Sequence, residues 1–539
     1  MPIANSNGFN IITPDYNYSK KYWPLVTEYV KNQYQNIEIT DAPTVQSVLK
    51  ECFKIFELQF MNLIEGQRNA SYYMFVHSFH ENSCELWFNQ INGIEHNIDE
   101  LAIIRRVFKI ILEQSCGLVL NNAISFNNEM VLKRGEYTLL TEELLYIGNW
   151  AITLSDFIAK SQLFPNSIGL QVIGNDLNIL TYSPGKYVFD YIEKDIPKHN
   201  EYVVVSNNLN ELKSIWNNIG VDYNVLASYH TPSGGLLVAE DFINQISEKH
   251  NYDKRIVQSF YGGLTVSKTN KLSFEDCIIR NQDINRYIYR AILKLNIENV
   301  DYYIIGKNKF REGLIVMSYN ALPFGFCPDE WAEHEEIKGF VKILKHDHDK
   351  TLEDPAVKAL TDNNLCYDRN INSLKTLNKS QNISLLFKGM GEIDILYIDT
   401  AHKTVYVCEC KHNRSRFDMF NWRRDYVNFK EIYEQKLSNK TTWVEKNLSK
   451  IFTHMEITYG VVFETKEEYK VEGIFLINAP TIYMYDSLFE TFTLFAFNKL
   501  VEGSYSSIEF VFEDEVTGDV INVKQPYFTN LTKALKKEL

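Results

Sequence analysis

Apolar spacing divides the chain into stretches of different period. Over residues 20–150 apolar positions recur three and four apart, as in Val45–Leu63 and Leu101–Gln114, and this predicts helices. Around residue 165 the period changes. Ser167–Val172, Asn178–Tyr182 and Tyr202–Ser206 read as strands, Leu209–Ile219 as a helix, and Tyr302–Ile305 and Gly313–Ser318 again as strands. Pro323 to Pro328, with two prolines and a glycine, is the predicted linker. After it, Trp331, Ile337, Phe340, Val341 and Leu344 place an apolar stripe on a helix over Asp329–Leu344, with Asp329 as its cap. Asn382–Lys388, Ile393–Asp399 and Thr404–Cys410 read as strands. Trp422, Tyr426, Phe429, Tyr433 and Leu437 mark a long helix, and Trp443–His454 a second. Strands at Gly460–Phe463 and Gly473–Ile477, a helix at Leu488–Leu500, and strands at Ser507–Phe512 and Val520–Lys524 complete the order. The predicted class is α/β: a mainly helical region over 1–160, an α/β region over 161–322, and an α/β/α sandwich over 323–539.

Chemistry concentrates in Gly391-Glu392-Ile393-Asp394-Ile395-Leu396 and, fifteen residues after the aspartate, Glu409-Cys410-Lys411. Thr400–Lys403 is long enough for a four-residue hairpin loop. If Asp399 pairs with Thr404, Asp394 falls opposite Glu409, and the period of two puts Glu392, Asp394, Glu409 and Lys411 on one face. Leu396, Ile398, Val405 and Val407 continue that face, while Ile393, Ile395, Tyr397, Tyr406 and Cys408 fill the other. Both faces are apolar, so the hairpin is expected to be covered on both sides. Opposed acids in such strands repel and are costly to bury unless something cationic offsets them. A hard cation such as Mg²⁺ or Mn²⁺ takes oxygen ligands and also binds phosphate. An ammonium beside it suits phosphodiester hydrolysis.

These residues resemble the PD-(D/E)xK nuclease superfamily, which has the restriction-endonuclease-like fold with a mixed sheet. Gly-Glu-x-Asp before the loop looks like its Holliday-junction-resolvase and Mrr-like branches. By that resemblance Asp394 and Glu409 hold metal, the carbonyl of Cys410 is a further ligand, Lys411 is the catalytic lysine, and Glu392 matches an acid of some branches. The family places a helix before the hairpin, often with a metal-assisting glutamate, for which Glu333 and Glu336 are the candidates. Some relatives carry Gln-x-x-x-Tyr on the following helix; here Gln435 is followed by Asn439, a departure from that pattern.

Charge changes this picture locally. The chain carries −14 overall, yet residues 401–450 hold 11 Lys/Arg against 6 Asp/Glu, while the rest hold 44 against 63. Arg414, Arg416, Arg423 and Arg424 follow the Glu-x-Lys strand and are candidate phosphate contacts. DNA is the more common substrate of the superfamily, with RNA an alternative. The N-terminus is polar and uncharged, no run of eighteen apolar residues occurs, and eight scattered cysteines form no Cys-x-x-Cys pair. The expectation is a cytoplasmic protein with reduced cysteines and no membrane partner. Abundant Tyr, Phe, Asn and Ile suggest an AT-rich bacterial genome. Pro232-Ser-Gly-Gly235, Tyr261-Gly-Gly263 and Ser183-Pro-Gly-Lys186 lack the rest of a Walker motif and read as turns, and His346-Asp347-His348 as a solvated turn. The expected function is a Mg²⁺- or Mn²⁺-dependent DNA endonuclease of a bacterial restriction or anti-phage system. Its N-terminal regions would sense, target, self-associate or bind a protein partner. The alternatives are a silent or RNA-directed nuclease fold acting as a binding or assembly module, and a small-molecule sensor whose output is the nuclease.

Overall fold

A computed structural model describes residues 3–34, 38–121, 133–165, 167–174, 176–182, 207–231, 235–347, 350–378, 382–387, 389–414, 416, 418–478, 480–506, 510–513, 520–524, 527 and 529–530. The chain forms two compact units: Met1–Leu180 with Val204–Lys345, and Thr181–Val203 with His346–Leu539. Both are α/β. Among the described residues no helix is long and apolar enough to cross a membrane. The expected strand Tyr202–Ser206 and turn Ser183–Lys186 lie outside the described residues.

The first unit is rich in helices, with Ala42–Gly66, Ala70–Ile91, Leu101–Ser115 and Arg134–Leu163 as the longest. Ala42–Gly66 starts where the Asp41 carboxylate accepts the Thr44 N–H and Pro43 sets the first turn. A hairpin of Ile292–Ile297 and Val300–Ile305 runs through its main sheet, flanked by short strands at Val119–Leu120, Thr265–Val266 and Leu237–Val238. Several expectations fail here, among them the turn at Tyr261–Gly263, which is the end of the helix Lys254–Gly263. Gly313–Ser318 is not a strand but part of the helix Lys307–Asn320; Phe310, Leu314 and Met317, spaced four and three apart, are buried in the core. The stripe predicted for Asp329–Leu344 is real, but it breaks at Glu333 and His334 into helices Asp329–Ala332 and Glu335–Asp347. Its Trp331, Ile337, Phe340 and Val341 fill the core of the first unit, beside Trp216 and Phe260. The change of unit therefore falls at Lys345 and His346, not in the proline-bounded stretch 323–328.

In the second unit a five-stranded mixed sheet runs β1 (Cys366–Ile371), β2 (Ile393–Asp399), β3 (Thr404–Lys411), β4 (Lys470–Ile477) and β5 (Glu490–Thr493). The first two junctions are antiparallel and the last two parallel. One face is covered by α1 (Lys350–Asp362) and α5 (Leu494–Val501): Leu352, Ala356, Leu360 and Phe497 meet Ile395, Tyr397, Tyr406 and Cys408. The other is covered by α2 (Met419–Asn428), α3 (Glu434–Lys446) and α4 (Leu448–Tyr459). Phe429, Leu437, Val444 and Phe452 there meet Leu396, Ile398, Val405, Val407 and Phe475. This is the expected α/β/α sandwich, with the inward alternation as expected except at Ile393, which joins the face of Leu396.

The first strand of that sheet is Cys366–Ile371, not Asn382–Lys388. Among the described residues of the latter, 382–387, only Ile383–Ser384 is extended, paired with Ser373–Leu374, and Leu386 and Phe387 are exposed. Gly460–Phe463 is not a strand either: Gly460, in the left-handed region, ends α4 and irregular chain follows. Gly473 on β4 has a packing role. A Cβ there would lie 2.6 Å from the Thr441 hydroxyl of α3, so the glycine lets that helix settle against the sheet. Gly473→Val is expected to push α3 outward and cost about 1–3 kcal/mol. Urea unfolding of the full chain measures this, and a variant as stable as the parent would contradict the packing argument.

Candidate active site

The β2–β3 hairpin has the register expected from spacing. Asp399 pairs with Thr404, and the ladder continues to Ile395 opposite Cys408, which places Asp394 across from Glu409. The loop is fixed by the Asp399 carboxylate, which accepts the His402 backbone N–H and binds the His402 ring at 2.7 Å. The ladder ends beside the acids for a local reason. The Cys410 N–H donates to Asp394 Oδ2 at 2.8 Å, in place of a backbone carbonyl. On the neighbouring strand Asn370, between the Arg369–Ile395 and Ile371–Ile393 pairs, is left-handed with φ 52°. Pairing is thus interrupted around Asp394, and its carboxylate is tied to the end of β3.

Glu409 is the electrostatic centre. It is 5% exposed and accepts two ammonium groups. Lys411 Nζ lies 2.7 Å from Oε1, and Lys440 Nζ donates to Oε2. Lys440, itself 5% exposed, also reaches within 4.0 Å of Asp394 Oδ1, so it bridges the two acids. Lys411 donates as well to the Cys410 carbonyl at 3.1 Å, and its ammonium sits 5.2 Å from the centre of the Tyr433 ring. Tyr433 reaches that position from a π-helical turn, Phe429–Tyr433, that joins α2 to α3.

Burial, and then the charge of Glu409, push the Asp394 carboxyl up to about 7, against the pull of Lys411, Lys440 and the Cys410 N–H. Burial also works against ionisation of Glu409, but Lys411 and Lys440 outweigh it and hold that carboxyl low. The pair titrates as a unit, with the negative charge on Glu409 and the proton retained on Asp394. Lys411 is disfavoured by burial, yet Glu409 and Asp394 keep it firmly charged.

The other expected residues separate. Glu392 lies half-buried just before β2 and makes no hydrogen bond or ion pair with the described residues. Arg414 is buried, and Arg416 is locked onto Asp425 by two 2.8 Å hydrogen bonds, so neither presents a free guanidinium. Arg423 is half-buried and Arg424 exposed on α2. Gln435 and Asn439 bond to each other on the exposed side of α3. Glu333 and Glu336 are exposed residues of the first unit.

Spacing did not point to two charged residues, Lys440 and Glu353. Lys440 follows the apolar Leu437 by three residues on a helix otherwise marked by aromatic positions, and only the tertiary fold carries it to Glu409. Glu353, buried on α1, lies close enough to act on the Cys410 thiol. That thiol is pushed well up, first by its hydrogen bond with Cys408 and by burial, with Asp394 and Glu353 adding to the effect.

Two carboxylates and the Cys410 carbonyl form an all-oxygen donor set, which fits a hard divalent cation better than a soft one. A second cluster in the first unit, His80, Cys84 and Glu312, has the donors of a transition-metal site. Its one carboxylate already serves Arg105, Lys109 and Lys309 at 2.6, 3.3 and 3.0 Å, so a further cation has no negative charge left to offset it. No family model, no curated protein and no solved structure matches this chain.

The raised Asp394 carboxyl has a stability consequence. The native state keeps its proton above the pH at which the unfolded chain releases it, so stability falls as pH rises from about 4 to about 7. Asp394→Asn, which retains an oxygen to accept the Cys410 N–H, is expected to abolish that fall in the metal-free protein. Melting temperatures of both proteins across this range, in the presence of a chelator, measure it. Parallel curves would contradict the burial argument.

Proposed function

We propose that the second unit is a metal-dependent nuclease of the PD-(D/E)xK type, and that the whole chain is a cytoplasmic DNA endonuclease of a bacterial restriction or anti-phage system. The observation that carries this reading is the convergence of Asp394, Glu409 and the Cys410 carbonyl at one end of a hairpin, with two charged lysines against them. Asp394, Glu409 and the Cys410 carbonyl would hold Mg²⁺ or Mn²⁺. When bound, such an ion supplies Lewis-acid polarisation of a phosphate and lowers the pKa of a coordinated water.

The chain's own groups divide the remaining work. Lys411, kept charged by the acids, neutralises negative charge that develops on the phosphate during attack, or orients the attacking water. The Tyr433 face and the Cys410 carbonyl restrict its swing. Lys440 is a positioning residue: before metal binds it fixes Glu409 and holds the acids together. Glu392, without a partner among the described residues, would hold a second ion or a water.

Lys411→Ala and Asp394→Ala are each expected to abolish Mg²⁺- or Mn²⁺-dependent cleavage while leaving the fold intact. Purified protein with plasmid, linear and single-stranded DNA and total RNA, with and without each metal, measures it. Cleavage by the Asp394→Ala protein at the parent rate would overturn the site.

A further inference from the structure

The second unit contains an open groove of about 860 Å³ whose floor comes from two chain segments. Lys375, Thr376 and Asn382 line it from the residues before β2, and Ser449, Lys450 and Thr453 from α4. None of its described lining residues is acidic, although the chain as a whole carries −14. The volume lies within the roughly 300–1,000 Å³ range of sites that hold small ligands. Among the described residues its lysines are lightly engaged: Lys375 Nζ donates to the Thr458 hydroxyl at 3.1 Å and Lys450 Nζ to the Asn447 side chain at 2.7 Å. Each ammonium has three donors, so each has capacity left for an anionic oxygen.

The same two segments lead from the groove to the acids. After Asn382 and Ile383 the chain passes Phe387, whose ring is 6.3 Å from that of Trp443 on α3, and reaches Asp394. Opposite it, α3 carries Lys440 beside Asp394 and Glu409, then Trp443, and α4 supplies Ser449 and Lys450 to the groove. From Lys440 to the end of α3 at Lys446 is about 9 Å along the helix axis. Phe387 is 48% exposed and Leu386 64% exposed, so an apolar and aromatic surface lies between the lysine-lined groove and the acids. Ammonium groups that meet phosphates and aromatic faces that meet bases are the two components of single-strand recognition. A duplex keeps its base faces stacked and cannot use the second.

We propose that this groove, with Phe387 and Trp443, binds a single-stranded stretch of nucleic acid and leads it toward Asp394 and Glu409; the second half of this statement rests on the nuclease reading. The polymer contributes phosphates to Lys375 and Lys450, and an unstacked base to the exposed Phe387 face. Arg414 and Arg416, which are engaged inside the fold, are not needed for it.

The test is fluorescence anisotropy of the full chain with labelled single-stranded oligo-dT and oligo-rU, and with a DNA duplex, all in chelator so that nothing is cleaved. Single strands are expected to bind more tightly than the duplex, and the two strands together show whether deoxyribose or ribose is preferred. Lys375→Glu with Lys450→Glu should weaken single-strand binding at least about tenfold and lower the salt slope by about 1.4, the value for two lost phosphate contacts. Phe387→Ala should weaken it at least about fivefold. Circular dichroism confirms folding of these surface variants. Unchanged affinity in both variants, no binding of single strands, or a duplex bound as tightly as a single strand would overturn the proposal. Because the readout needs neither metal nor cleavage, an inactive protein that still binds through the groove would refute only the nuclease reading. An active one whose variants bind normally would refute only the groove.

Discussion

The second unit is organised around one electrostatic conflict: two carboxylates facing each other at the end of a buried hairpin. At an effective dielectric of about 20, charges about 4 Å apart repel by about 4 kcal/mol, before any cost of burial. The fold answers this with two ammonium groups and a proton. Lys411 comes from the same strand as Glu409, Lys440 from the helix laid across it, and Asp394 stays protonated near neutral pH. Such an arrangement contributes little to stability compared with an apolar equivalent, because each buried charge must be offset. Under the nuclease reading proposed above, part of this positive charge would give way to a cation and a phosphate.

The surrounding architecture places these charges. The change from antiparallel to parallel pairing at β3 places its C-terminal end beside β4, where Gly473 admits α3 and so brings in Lys440. The π turn before α3 aims Tyr433 at Lys411. Interrupted pairing around Asp394, at the left-handed Asn370, lets its carboxylate take the Cys410 N–H and fixes it at the end of β3. Burial on both faces of the hairpin lowers the local dielectric and so magnifies each of these charges.

Much of the hairpin was legible in the sequence because its period of two, its four-residue loop and its apolar framing all agree on one register. The covering helix carrying Phe429, Tyr433 and Leu437 was legible from its spacing for the same reason. What escaped was non-local. Lys440 carries no local sign that it will be buried against Glu409, and Glu353 sits in a helix, Lys350–Asp362, interrupted in sequence by Pro355 and so not read as one. The stripe from Trp331 to Val341 was identified correctly as helical, but a stripe does not say which core it fills, and it fills the first unit's. Gly313–Ser318 shows the limit for short apolar runs: Leu-Ile-Val-Met suits a strand or a buried helix equally, and packing of Phe310, Leu314 and Met317 decided for helix. The arginines after β3 are the candidate phosphate contacts by charge and spacing, yet the Arg416 guanidinium is held by Asp425 within the fold.

On the proposed reading, Asp394 and Glu409 form a divalent-cation site whose place Lys440 and Lys411 hold in the metal-free protein. Anomalous diffraction from crystals of the full chain saturated with Mn²⁺ tests it most directly. The expected result is a single strong manganese peak in the second unit, ligated by the Asp394 and Glu409 carboxylates, with the Lys440 ammonium displaced from its bridge. Manganese bound elsewhere, with Lys440 still spanning the two acids, would contradict it.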